Sequence, residues 1–117
     1  MKQLPVAVQK TVTDNFKSKP VSAKIEKNTY GTDEYDVVLA DGTKVKFEGE
    51  AWDEVSVPMG QSVPEYFVLK PISTYVTANQ PGQKITKIER DKKGYEVKLS
   101  NGLEIKFDTN GKFVKID

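Results

Sequence analysis

Seventeen carboxylates and eighteen basic side chains are the reactive groups of this 117-residue chain, which has neither histidine nor cysteine. Without those two residue types, Ser-His-Asp and Cys-His arrangements cannot be built, nor can zinc sites of the usual kind. Disulfides and thiolate chemistry are excluded by the same absence. General acid–base catalysis favours groups that titrate near neutrality, and here none does so unshifted. Paired-carboxylate catalysis stays formally open, but the Asp and Glu residues read better as strand-face and turn residues. The eight glycines lie alone or in turns, and none forms the G-x-x-x-x-G-K-[ST] loop that cradles phosphate. The expectation is a protein that is not an enzyme and carries no cofactor or metal.

A few groupings remain to be weighed as binding features. Asp33, Glu34 and Asp36 cluster beside Gly31. A calcium site is conceivable there, but the spacing fits no EF-hand loop, and solvated loop charge is the simpler reading. Lys87, Arg90, Lys92 and Lys93 could contact phosphate. Lysines at a turn tip more commonly serve solubility. Tyr30, Tyr66 and Phe67 fall outside any apolar alternation, so each is either a contact anchor or a ring packed under a loop.

The elements that position these groups come in two copies. Tyr35-Asp36-Val37-Val38-Leu39-Ala40-Asp41-Gly42 through Phe47-Glu48 reads against Tyr95-Glu96-Val97-Lys98-Leu99-Ser100-Asn101-Gly102 through Phe107-Asp108 at a constant offset of 60. Ile25-Glu26-Lys27 matches Ile88-Glu89-Arg90, and Trp52 and Val55 match Phe113 and Ile116. In each copy apolar and polar residues alternate on both sides of Asp41-Gly42 or Asn101-Gly102. That pattern predicts a hairpin with one face on a core, joined by a two-residue type I′ turn. Further strands are expected at Val21–Lys27, Trp52–Val57, Lys84–Arg90 and Lys112–Ile116. Ahead of the first copy, Leu4, Val8, Val12 and Phe16 recur every four residues and predict a helix with Pro5 in its first turn. Ile72, Tyr75, Val76 and Asn79 predict a second helix, opened by either Pro64 or Pro71. Val57–Ser62 is the linker. The reading is a single domain, 1–117, of class α+β, built of repeats at about 4–57 and 63–117.

Apolar residues make 37% and charged residues 30% of the chain, a globular balance, and no apolar run approaches the roughly 20 residues of a membrane helix. Net charge is +1, which argues against nucleic acid as partner. Residues 4–56 hold 7 Lys and 10 Asp+Glu (−3), whereas 57–117 hold 10 Lys+Arg and 7 Asp+Glu (+3). Met1–Pro5 begins no signal-peptide pattern, which leaves either a cytoplasmic protein or a mature exported form.

Gly94-Tyr95-Glu96-Val97, Leu99, Asn101-Gly102, Ile105, Phe107-Asp108, Asn110-Gly111 and Phe113 resemble the PepSY-like family of secreted bacterial proteins. That family has the fold of the beta-lactamase inhibitor protein. Tyr35, Val37, Leu39, Asp41-Gly42, Val45, Phe47 and Trp52 repeat the pattern, and Leu4-Pro5 and Val63-Pro64 resemble the family's unit starts. The chain departs from it at Glu50-Ala51 and around Pro64–Pro71. The resemblance implies two helix-then-four-strand units joined into one curved antiparallel sheet with both helices on one face. It also implies a periplasmic or secreted location in a Bacteroides-type bacterium. On that basis the expected function is a binding or inhibitor-like module for a protein partner. The outward strand residues Asp36, Val38, Lys44, Lys46, Glu96, Lys98, Glu104 and Lys106, with Tyr30 and Tyr66, are its expected contacts. The alternative is a periplasmic sensor or carrier that binds a small molecule between helices and sheet.

Overall fold

The computed structural model describes residues 4–117. The chain falls into two compact units, one ending at Val55 and the other beginning at Ser56. The first holds helix α1 (Val6–Asn15) and strands β1 (Pro20–Glu26), β2 (Glu34–Leu39), β3 (Lys44–Glu48) and β4 (Ala51–Ser56). The second holds a 3₁₀ turn (Glu65–Phe67), helix α2 (Lys70–Asn79) and strands β5 (Ile85–Asp91), β6 (Gly94–Leu99), β7 (Glu104–Phe107) and β8 (Phe113–Ile116). Within each unit the strands lie in chain order, and the pairs β1–β2, β2–β3, β5–β6, β6–β7 and β7–β8 are antiparallel. The class is α+β, as expected.

Alternation fixes the faces. Val37, Leu39, Val45 and Phe47 are no more than 1% exposed, as are Val97, Leu99 and Ile105, while the residues between them reach solvent to differing degrees. In α1, Val8 and Val12 are buried, one turn apart on the stripe. Phe16, expected to extend that stripe, instead leaves the helix with extended backbone (φ −133°, ψ 138°) and is half-buried. Pro20 sets only an outer limit, because it disfavours helical backbone at Lys19, and the helix ends four residues before that. Pro5 sits just before the first helical residue, and its carbonyl accepts the Gln9 N–H at 3.1 Å. Pro71 lies in the first turn of α2, where a missing N–H costs nothing, so the helix is not kinked. Pro64 opens the separate 3₁₀ turn.

The hairpin turns differ from the expected type. Type I′ requires positive φ at both central residues, yet no non-glycine described residue has positive φ. Leu39 N–H donates to Thr43 O at 2.8 Å and Gly42 N–H to Leu39 O at 3.0 Å, which leaves a three-residue loop, Ala40-Asp41-Gly42. Leu99, Leu103 and Gly102 repeat the geometry at 2.9 Å for both bonds. This is a type I turn completed by a left-handed glycine, Gly42 at φ +97° and Gly102 at φ +89°. The Asx side chain decides it: Asp41 Oδ1 accepts the Thr43 N–H at 2.9 Å, and Asn101 Oδ1 the Leu103 N–H at 3.0 Å.

In the second unit α2 packs on the inward side of β7 and β8. Tyr75 meets Phe107 edge-on (centroids 5.5 Å apart) and stacks on Phe113 at 4.7 Å. Trp52 of β4 is 7% exposed, whereas Phe113, its counterpart in the sequence alignment, is 39% exposed.

Candidate functional site

The outward sides of the strands carry charge in ordered rows. In the first unit Asp36 lies opposite both Lys24 and Lys46, and Val38 lies opposite Lys44. Glu34 lies opposite both Glu26 and Glu48, a row of three carboxylates next to the first. Asp53 of β4 joins this group. Its carboxyl is pushed above the ordinary carboxylate range by burial, and the negative charges of Glu48 and Glu34 add to the effect. Lys46 opposes the shift and Asp36 reinforces it. Asp53 Oδ1 is sealed from solvent with no hydrogen-bond partner among the described residues.

In the second unit the registers place eight charges in two rows. One runs Glu89, Glu96, Lys106, Lys115 across β5 to β8. The other runs Lys87, Lys98, Glu104 and ends at Asp117, whose N–H donates to Glu104 O at 2.9 Å. Ion pairs link Lys87 to Glu89 at 2.9 Å, Lys106 to Asp117 at 3.6 Å and Lys115 to Asp117 at 3.5 Å. Carboxylate oxygens of Glu96, Glu104 and Asp117 lie within 4.8 Å of one another. Burial and a hydrogen bond with Asp117 raise the Glu96 carboxyl above its usual range, while that same bond lowers Asp117. Of Glu96 and Asp117, Glu96 therefore holds a proton more readily, and Lys106 and Lys115 supply positive charge beside Asp117.

Two clefts open on this side. One of about 290 Å³ has Glu89, Asp91, Lys93, Glu96 and Lys106 among its lining, together with Gly94, Tyr95, Phe107 and Val114. A second, of about 280 Å³, lies among Lys87, Glu89, Glu96, Lys98 and Glu104. Gly94 itself packs closely against the backbone at the end of β7. A Cβ there would collide with the Phe107 carbonyl and approach Asp108 Cα to 2.9 Å.

The structure thus pairs the eight expected strand residues within their own units: Asp36 with Lys46, Val38 with Lys44, Glu96 with Lys106, and Lys98 with Glu104. It does not bring the two tyrosines onto these ladders. Tyr30, 93% exposed, is in the loop between β1 and β2, and Tyr66, 65% exposed, is in the 3₁₀ turn with its edge against Phe67. Phe67 itself is core, 2% exposed. In the acidic loop Asp33 is a brace: its Oδ1 accepts the Asn28 N–H at 3.1 Å and its carbonyl the Gly49 N–H at 2.8 Å. Sequence reasoning weighed Glu34 only for calcium and Lys87 only for phosphate, and it missed Glu48 and Asp53 in the first unit and Glu89, Lys115 and Asp117 in the second. Lys87 and Glu89 were legible, since they flank Ile88 in an alternating strand. Asp117 was not, because it follows the register shift that β8 makes against β7.

The model of the beta-lactamase-inhibitor-like, PepSY-like family matches residues 33–115. A crystal structure described as a candidate periplasmic protein of unknown function from Bacteroides vulgatus is 42% identical with a TM-score of 0.91, covering 99% of this chain and 93% of that one. One from Bacteroides thetaiotaomicron, described as a candidate calcium-regulated periplasmic protein, is 41% identical with a TM-score of 0.89, covering 99% and 91%. Another Bacteroides vulgatus periplasmic protein has the same values. Among curated proteins none matches the chain. All three relatives are described as periplasmic, which bears out the extracytoplasmic location that the resemblance implied. By the extent of the family match and the identity of these relatives, the chain belongs to the beta-lactamase-inhibitor-like, PepSY-like family.

Proposed function

We infer that the chain is a non-catalytic binding module, one domain of two duplicated units, that recognises a protein partner through the outward sides of its strands. The observation that carries this reading is the contrast between the two sides of the same strands. Val37, Val45, Val97 and Ile105 are fully buried, while Asp36, Lys44, Lys46, Glu96, Lys98, Glu104 and Lys106 stand partly or fully exposed between them. A charged, mixed-sign surface suits a polar partner whose charges complement it. Tyr30 and Tyr66 supply exposed aromatic contact area of the kind that anchors interfaces. The duplication is supported by matched registers, Tyr35 opposite Phe47 and Tyr95 opposite Phe107. The test is capture from an envelope fraction of the native host with the purified chain, repeated with Lys44→Glu/Lys46→Glu. The reading predicts a captured protein whose retention falls at least tenfold in the variant while circular dichroism is unchanged. Undiminished capture by a folded variant rejects the strand surface.

A second reading is favoured by the Glu96, Glu104 and Asp117 carboxylates together with the calcium-regulated description of one relative. Calcium takes six to eight oxygen ligands, and three carboxylates can supply part of that shell. Calorimetric titration with calcium decides it: binding heat that disappears in Glu104→Gln supports the reading, and no heat removes it.

A further inference from the structure

We propose that the outward side of β5–β8 is a self-complementary surface that docks a second copy of this chain, with the two-fold axis parallel to the strands. This deepens the protein-partner reading and rests on it.

The motive is a charge pattern that pairing between directly opposite residues does not explain; the ion pairs of Lys87 with Glu89 and of Asp117 with Lys106 and Lys115 run along or diagonally to the strands. Charges directly opposite across a ladder are favourable when unlike and unfavourable when alike. Between β6 and β7 they are unlike: Glu96 faces Lys106 and Lys98 faces Glu104. Between β5 and β6 they are alike: Glu89 faces Glu96 and Lys87 faces Lys98. Between β7 and β8 they are alike again, with Lys106 opposite Lys115 and Glu104 joined through its carbonyl to Asp117. Exchanging Lys87 with Glu89, and Lys115 with Asp117, would make every neighbour unlike. The sequence instead groups the charges in twos, so the rows read −−++ and ++−−. The potential of such coarse blocks reaches farther from a surface than that of a fine checkerboard, and an outside partner benefits from that reach.

A second copy is the partner already shaped for it. Turned about an axis along the strands, each row meets its own reverse: −−++ faces ++−−, and ++−− faces −−++. Glu89 then meets Lys115 of the other copy, and Glu96 meets its Lys106. The clefts provide the space, since Glu89 and Glu96 line both the 290 Å³ and the 280 Å³ openings and can receive lysine side chains from outside.

Two variants test the pairing by sedimentation. Glu89→Lys/Glu96→Lys makes the first row wholly positive, and Lys106→Glu/Lys115→Glu makes it wholly negative. Each alone is expected to self-associate at least tenfold more weakly than the unaltered protein, and an equimolar mixture is expected to regain association. Circular dichroism checks that both fold. The unaltered protein gives an independent readout: association falls at least tenfold from about 0.02 to about 0.3 M salt as the Debye length shrinks from roughly 20 to roughly 6 Å. A protein that stays monomeric at millimolar concentration in low salt overturns the proposal, as does a mixture of folded variants that does not associate. Capture of an envelope protein that depends on Lys44 and Lys46 would survive either result, so failure here is distinct from failure of the broader reading.

Discussion

Replacing Phe107 with alanine tests the assignment of inside and outside more directly than any surface change. Phe107 is 2% exposed and has Tyr75 edge-on at 5.5 Å and Phe113 edge-on at 6.4 Å. Its ring contributes roughly 150–250 Å² of buried surface, worth about 4–6 kcal/mol at about 25 cal/mol per Å². Part of that is retained by the alanine Cβ, and measured Phe→Ala losses in cores run about 3–5 kcal/mol. A loss near 4 kcal/mol is a large share of the roughly 5–15 kcal/mol that holds a domain together. With a urea slope of about 1–3 kcal/mol per M, the unfolding midpoint should fall by roughly 1.3–4 M at unchanged slope. Phe113→Ala is the internal control. Its ring stacks on Tyr75 but is 39% exposed, so its loss should be less than half as large. A Phe107→Ala midpoint within about 0.3 M of the parent, far below the range expected from that slope, would refute the face assignment. So would a Phe113→Ala loss equal to that of Phe107→Ala.

Thr43→Val should stabilise the protein by about 1 kcal/mol, read as a higher urea midpoint, because the Thr43 hydroxyl is fully buried without a partner among the described residues. Gly94→Ala should cost at least about 1–3 kcal/mol of stability, read as a lower urea midpoint, since Gly94 sits at φ +146° and a Cβ meets the Phe107 carbonyl; an unchanged midpoint would contradict that geometry. For Asp53 the folded carboxyl lies above its ordinary value of 3.8, so the folded state binds the proton more tightly. Its ionisation therefore works against folding, and its contribution improves as pH falls from neutral through the folded value toward 3.8. Asp53→Asn should accordingly raise the melting temperature at neutral pH, with the advantage shrinking under acid; a constant advantage would assign the effect to packing.

Local pattern alone determined which residues face inward. Alternation on either side of Asp41-Gly42 and Asn101-Gly102 assigns the strand side chains of Tyr35–Leu39, Lys44–Phe47, Tyr95–Leu99 and Glu104–Phe107, because the strand period of two needs no knowledge of neighbours. The missing histidine and cysteine excluded whole classes of chemistry by residue type. Which charges oppose one another was decided only by the tertiary structure. Glu89 and Glu96 are seven residues apart in sequence, and they meet because of the turn at Asp91–Gly94 and the register it sets. A shift of one residue would have changed every pair. The turn type depended on whether Asp41 and Asn101 spend their side-chain oxygens on the N–H two residues on, and the glycine beside them is compatible with both outcomes. Burial too was decided beyond the strand: Trp52 and Phe113 occupy matched places in the sequence, yet one is 7% and the other 39% exposed. Period-two alternation selects a face, but what lies over that face is a property of the folded chain.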